Sequence, residues 1–462
     1  MKSSLSINRR QFLQSSALAG SLLILPRGLR GADGRTPNQR INIALVGVGG
    51  RGTPALTSLQ NENIVALCDV DQKRGRDAVM ADPAVKPILE KFAGAKWFKD
   101  YRRMFDAMAN AIDAVVVCTP DHMHFPVAMT AIALGKHVYV EKPLCRCITE
   151  VRTLHAAAKR AGVVTQMGNQ GRAGEGIRLV REWVEAGLIG RPHTVHAFTD
   201  RPKQPWFNEP EIDPDEGAAD EAVPPTLDWD LWRGPSPVRP YRSCLLPEHW
   251  RGYVEYGSGS LGDMGIHMMD SLLYGLDLPP PVSIEAITSK LYPKTFPRST
   301  VVTYKFPARG DQPPVEFKWF DGGLLPPRPP EVPVAEWKPS PGGGTIIYGD
   351  KGTLWVGSHS GSPRLLPESR MKELRPSLPA KTIPRIVGGP HREWADAIRG
   401  GPPCGSQFDY AAPITELVLL GVVAIRAQSR IEWDSAAGKI TNIPDANRLL
   451  GPGYDYLPGW GV

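Results

Sequence analysis

The chain has no dense block of like charge. Its 54 Lys and Arg are spread along the sequence against 48 Asp and Glu, leaving a net charge of +6. No RNA-reading motif accompanies them, so nucleic-acid binding is set aside. Cysteine is scarce, six in 462 residues. Cys145 and Cys147 stand close together but lack the paired CxxC or Cys/His spacing of a zinc site, and no metal is expected. Cys68 and Cys118 end apolar runs and read as small core residues. No internal repeat is visible. After the N-terminal segment no stretch reads as long and apolar enough to cross a bilayer.

What is present is an ordinary folded composition, 42% hydrophobic and 22% charged, on a chain long enough for two or three domains. Pro and Gly are plentiful, 46 and 47, so long loops are expected. At the N-terminus, Asn8-Arg9-Arg10-Gln11-Phe12-Leu13 precedes the apolar stretch Ala17 to Leu25. A twin arginine ahead of a short apolar region resembles a Tat export signal. The expectation is therefore a leader and junction over residues 1–39 and an exported, periplasmic protein.

From residue 40 to 167 buried-strand runs alternate with helical patterns. The runs are Ile41 to Val46, Ile64 to Asp69, Ala114 to Cys118, His137 to Glu141 and Val163 to Met167. That alternation predicts a doubly wound parallel sheet of the Rossmann type. Residues 168–462 read as a second α/β domain whose strands (191–199, 282–291, 300–306, 315–320, 345–348 and 353–356) predict a largely antiparallel, open sheet with one wet face. A Pro-rich insertion occupies about 200–250, too rich in breakers for a core element. It carries Trp206, Trp229, Trp232 and Trp250 with Tyr241, Tyr253 and Tyr256, whose flat faces suit either sugar rings or loop packing.

The chemistry concentrates in three places. Gly47-Val48-Gly49-Gly50-Arg51-Gly52 follows the first strand as G-x-G-x-x-G. Such a turn lets backbone approach a pyrophosphate, with free N–H groups at the next helix start. Asp69 ends the second strand, where a carboxylate can bind the adenosine ribose hydroxyls and repel a 2′-phosphate. NAD is thus favoured over NADP, with Arg51 and Lys73 as softening charges. Thr119 and Pro120 follow the strand ending at Cys118 and suit the nicotinamide-ribose pocket. His122 and His124 either touch a ligand or simply begin the next helix. Glu141-Lys142-Pro143 closes another strand at the sheet edge where such folds hold ligands. Asp263 and His267 stand four apart, so a helical turn puts both on one face. An acid and an imidazole together can exchange a proton with a hydroxyl near neutral pH. The bland alternative is a helix cap and a core histidine. Arg172, Arg233 and Arg242 are candidates to grip an acidic or polyol substrate.

These motifs, in this order and rough spacing, resemble the Gfo/Idh/MocA oxidoreductases. The resemblance extends to Gly168-Asn169-Gln170 and His391-Arg392-Glu393-Trp394. It implies a Rossmann domain followed by an α/β domain whose open sheet faces the active site. It implies Lys142, Asp263 and His267 as the catalytic set, with Asp263 orienting His267 or binding a neighbouring hydroxyl. Gly47, Gly49, Gly50, Arg51, Gly52, Asp69, Thr119, Pro120, His124, Glu141 and Lys142 are the expected cofactor-binding residues. The implied activity is hydride transfer from a secondary hydroxyl of a sugar, polyol or glycoside, with NAD retained on an exported enzyme. The alternatives are redox-neutral, NAD-dependent glycoside cleavage and a non-catalytic sugar-binding or regulatory protein. Homo-oligomerisation through the C-terminal sheet is a further expectation.

Overall fold

The computed structural model describes residues 40–203 and 221–461. The expected leader and Trp206 lie outside these. Within the Asn42–Val462 unit, the N-terminal half forms around β1 (Asn42–Val46), α1 (Gly52–Ser58), β2 (Asn63–Cys68), β3 (Lys96–Phe98), α2 (Tyr101–Met108), β4 (Ala114–Val117), α3 (Asp121–Ala133), β5 (His137–Val140), α4 (Ile148–Ala161) and β6 (Thr165–Met167). Its six strands run in the order β3-β2-β1-β4-β5-β6, all parallel. β1, β4 and β5 are apolar and buried almost throughout, as strands covered by helices on both faces must be. β3 escaped the sequence reading because three residues carry too little pattern.

The chain continues through α5 (Glu175–Glu185) and β7 (Pro192–Phe198) to α6 (Ile266–Leu276). It then runs through β8 (Ser283–Thr288), β9 (Thr300–Phe306), β10 (Val315–Phe320), β11 (Gly344–Gly349), β12 (Gly352–Gly357) and β13 (Arg364–Leu366). The last elements are α7 (Gly389–Ile398), α8 (Phe408–Ala427), β14 (Ile431–Asp434) and β15 (Lys439–Ile440). The second sheet has nine strands, ordered β13-β12-β11-β7-β10-β9-β8-β14-β15. Among the described strands of this sheet only β7 and β10 pair in parallel. Val302, Trp319 and Ala197 share one register across β9, β10 and β7 and are fully buried. On the other face Lys305, Glu316 and Lys318 form ion pairs, while Ile287 stays 71% exposed.

Two sequence readings are corrected here. α8 is 20 residues long and apolar enough to span a bilayer, contrary to the expectation that no such segment follows the leader. Some 72% of its most apolar stretch is buried inside the protein, against α4 on one side and β8 on the other, which is the position of a core helix. The insertion is also less irregular than its prolines suggest. Residues 227–256 enclose their own apolar cluster, in which the Trp229 and Trp232 rings stack at 5.0 Å. Backbone bonds from Asp228 to the Val70 carbonyl and from Gln72 to the Thr226 carbonyl tie the insertion to the end of β2.

Candidate active site

One cavity of about 590 Å³ runs along the carboxyl edge of the parallel sheet, the edge where such sheets hold ligands. At its middle lies the turn after β1. Gly47 adopts φ +83°, and a Cβ there would stand 2.6 Å from the Cys118 carbonyl oxygen. Gly50, at φ +54°, has no described atom within 4 Å of where its Cβ would be and lines the cavity. The turn thus presents bare backbone to the space a diphosphate needs, and the residues fit a dinucleotide. Gly52 does not reach the cavity. Its hydrogen faces the Gly47 carbonyl, which a Cβ would approach to 2.2 Å, so its part is to let α1 pack tightly on the turn.

Asp69 sits at the end of β2 and lines the cavity. Its Oδ2 accepts from the amides of Val48 (2.9 Å) and Gly49 (3.2 Å), and its Oδ1 accepts from the Asp71 amide (3.0 Å). The carboxylate therefore braces the glycine turn as well as facing the ligand space. Burial pushes its pKa up, while the three amides pull it back. Arg51 lines the cavity and pairs with Glu141 at 3.2 Å. Arg74, rather than Lys73, is the cation of that stretch in the lining.

Thr119, Pro120, Glu141 and Lys142 line the cavity as well, and so does Cys118, read from the sequence as a core residue. His124 does not. It is 1% exposed, and its Nδ1 and Nε2 meet the carbonyl oxygens of Pro143 (2.7 Å) and Thr119 (2.9 Å). The expectation that it binds cofactor is corrected. It instead ties together the two strand ends that carry Thr119 and Lys142. His122 is likewise structural, held between Trp232 and Tyr256, with burial pulling its pKa down to about 3.

Lys142 and Asp263 converge from opposite lobes. Lys142 Nζ donates to Asp263 Oδ1 at 2.7 Å and to its carbonyl oxygen at 2.9 Å. Both side chains are at least nine-tenths buried. Asp263 does not lie on a regular α-helical turn with His267. Leu261–Gly265 is a π-helical turn that runs into α6, a local widening that recurs at functional sites. It aims Asp263 at Lys142 instead of His267. Asp263 Oδ2 is buried, has no hydrogen-bond partner among the described residues and belongs to a cavity-lining residue.

His267 is oriented by Asn169. Asn169 Nδ2 donates to Asp270 Oδ2 at 2.9 Å, which fixes the amide so that its Oδ1 accepts from His267 Nδ1 at 3.1 Å. Tyr410 donates to the other oxygen of Asp270. The proton is thereby placed on Nδ1, leaving Nε2 with its lone pair. Burial, then the Lys142 ammonium, then His359 hold the His267 pKa well below the usual imidazole value, so the ring is neutral at neutral pH.

The sequence reading missed His359. Its ring lies 4.0 Å from that of His267, and it lines the cavity. Its backbone is left-handed at φ +57°, as is that of Ser360 at +58°, a cost of the order of 1 kcal/mol or more per residue that surrounding contacts must sustain. Two glycines permit the approach. A Cβ at Gly171 would meet the His359 carbonyl at 2.5 Å, and one at Gly176 would meet that of Ser360 at 2.0 Å. The positive φ of a histidine cannot be read from sequence; only the flanking Gly357 and Gly361 hint at a turn.

Other candidates are not brought to the site. Arg172 lies over the rings of Tyr274 (3.5 Å) and Tyr410 (4.4 Å) and donates to the Gly405 carbonyl. Arg233 is spent on Ser236 and Asp230. Neither these nor Arg242 lines the cavity; Arg201 and Arg251 do. Of the insertion's described aromatics only Trp232 and Trp250 reach it. Among the described residues no group of three or more His, Cys, Asp or Glu side chains could hold a metal ion.

Comparison with known proteins bears on the family and the fold. Residues 41–169 match the Gfo/Idh/MocA profile described as an oxidoreductase family, NAD-binding Rossmann fold, and residues 173–309 match its C-terminal α/β domain. Myo-inositol 2-dehydrogenase of Thermotoga maritima is 27% identical over 168 residues, 36% of this chain and 47% of that protein. Levoglucosan dehydrogenase of Pseudarthrobacter phenanthrenivorans is 26% identical over 35% of this chain and 33% of its own length. The matched segment thus spans less than half of either relative. The WlbA dehydrogenase of Bordetella pertussis, solved with NADH and UDP-GlcNAcA, shares the fold with a TM-score of 0.56 at 19% identity, over 86% of this chain and 99% of that one. Aldose-aldose oxidoreductase from Caulobacter crescentus does so at 0.54 and 16%, over 85% and 100%. On its two profile matches, the chain belongs to the Gfo/Idh/MocA oxidoreductase family.

Proposed function

We propose that this chain is an NAD-dependent oxidoreductase that oxidises a secondary hydroxyl of a sugar, polyol or glycoside. The observation that carries the reading is convergence. Lys142 at the end of β5, Asp263 on the π-helical turn and His267 on α6 face one cavity with the glycine turn and Asp69. Bound NAD supplies the hydride acceptor. His267 Nε2 takes the hydroxyl proton, the role its Asn169-fixed tautomer prepares. Lys142 donates to the same oxygen and stabilises the developing alkoxide. Asp263, anchored on Lys142 through Oδ1, offers Oδ2 to a neighbouring hydroxyl. Asp69 accepts from the adenosine ribose and disfavours NADP. Cleavage without net oxidation and non-catalytic binding draw no support from the relatives named above, which are called dehydrogenases or oxidoreductases.

The twin-arginine leader supports export by the Tat route, which carries folded proteins and allows NAD to be loaded before export and retained. The exposed face of the second sheet, with Ile287 uncovered, supports self-association. The test is an assay of purified protein with NAD against inositols, anhydrosugars and monosaccharides, followed by nicotinamide absorbance. Reduction that disappears with Lys142→Ala is expected. No reduction across the panel, or full activity in that variant, would overturn the reading. Protein purified without dinucleotide, and active only with excess free NAD, would refute retention.

A further inference from the structure

The proposed chemistry uses one end of the cavity. The other end, past Asp69, is assembled from parts far apart in sequence: Lys99, Asp100 and Tyr101 at the start of α2, Leu227 of the insertion, and Trp460 on the C-terminal tail. Trp460 belongs to neither the glycine turn nor the second sheet, yet it is held firmly. The Arg102 guanidinium lies 4.0 Å over its ring. The same arginine donates to the Gly459 carbonyl at 3.1 Å and is fixed on Asp100 at 2.8 Å. The Tyr101 ring stands 6.2 Å away, tilted by 49°. Upstream, the tail is tied down by Arg146 donating to the Pro452 carbonyl at 2.8 Å and by Tyr456 donating to Glu150 at 2.5 Å. Trp460 is 8% exposed, and it lines the cavity.

We infer that Trp460 and Tyr101 form the wall on which the adenine ring of the dinucleotide packs, so that the C-terminal tail completes the cofactor site. The inference rests on the dinucleotide reading above and extends it to residues outside the Rossmann segment. Asp69 sets the place of the adenosine ribose. The phosphates lie to one side of that ribose, over the glycine turn, so the base must extend to the other. There it meets the rings of Tyr101 and Trp460 and the side chain of Leu227, with Lys99 and Asp100 beside them. A purine gains from such a surface through stacking and burial of its faces, and needs no fixed hydrogen-bond partner for it. A base enclosed by tail and insertion also leaves slowly, which suits a retained cofactor.

The experiment measures dissociation constants of the full-length protein for NAD, ADP-ribose and nicotinamide mononucleotide. Trp460→Ala is expected to weaken NAD and ADP-ribose by roughly tenfold or more, with nicotinamide mononucleotide unchanged. Trp460→Phe, which keeps a ring, is expected to stay close to wild type. Unchanged ADP-ribose affinity in Trp460→Ala would overturn the inference. So would equal weakening of nicotinamide mononucleotide, or early melting shared by Trp460→Phe, because the tail would then be a structural tie that does not touch the base. A wild-type protein that binds neither NAD nor ADP-ribose would instead remove the dinucleotide reading itself.

Discussion

At its reaction end the cavity is walled by the Lys142 ammonium, the Asp263 carboxylate and the His267 imidazole, each fixed by hydrogen bonds, whereas at its far end the rings of Tyr101 and Trp460 and the side chain of Leu227 supply flat apolar walls beside Lys99 and Asp100. The two ends act on different quantities. Fixed charges in a buried site act where charge changes during reaction, so they enter the rate. Flat apolar walls contact a part of the ligand that does not change, so they enter affinity alike before and during the reaction. Variants at one end should therefore lower turnover, and variants at the other should raise dissociation constants.

That division can be broken by measurement. Lys142→Ala is expected to cut kcat by about 10³-fold, and His267→Ala by a similar 10²–10⁴-fold, with NAD affinity nearly unchanged by titration. A matching fall in NAD affinity would erase the distinction between the ends. Asn169→Ala should cost roughly 10²-fold in kcat/KM, because it frees the His267 ring to take the wrong tautomer. Asp69→Ala should weaken NAD by about tenfold, through a lost charge-assisted bond, and narrow the preference over NADP while kcat holds. The smallest effect concerns pH. His267 has a folded pKa well below the ordinary value, so its unprotonated, base form persists as pH falls. The acid limb of kcat/KM should thus lie below about pH 6.5. His359 contributes to that lowering, so His359→Ala should move the limb upward. A downward move would reverse the assigned coupling.

How much of this was legible in the sequence follows from the range of the interactions. The parallel sheet was, because β1, β4 and β5 are continuous apolar runs punctuated by glycine and proline. The glycine turn, Asp69 and Lys142 were, because each sits at a strand end. The partners were not. Spacing by four suggested that Asp263 serves His267, but a π-helical turn redirects it to Lys142. Asn169 could be singled out only by resemblance, and its link to His267 and Asp270 spans about 100 residues of chain. His124 looked like a ligand contact until two backbone carbonyls were found on its ring. His359 and Trp460 reach the cavity solely through tertiary approach.

The buried helix Phe408–Ala427 bears on the export proposed above. Threaded through a translocon as extended polypeptide, twenty apolar residues near the end would be free to slip sideways into lipid and stall the passage. Once the protein has folded, 72% of that apolar stretch is buried, which leaves lipid little to hold. Folding before transit removes the hazard, independently of any need to carry a nucleotide along.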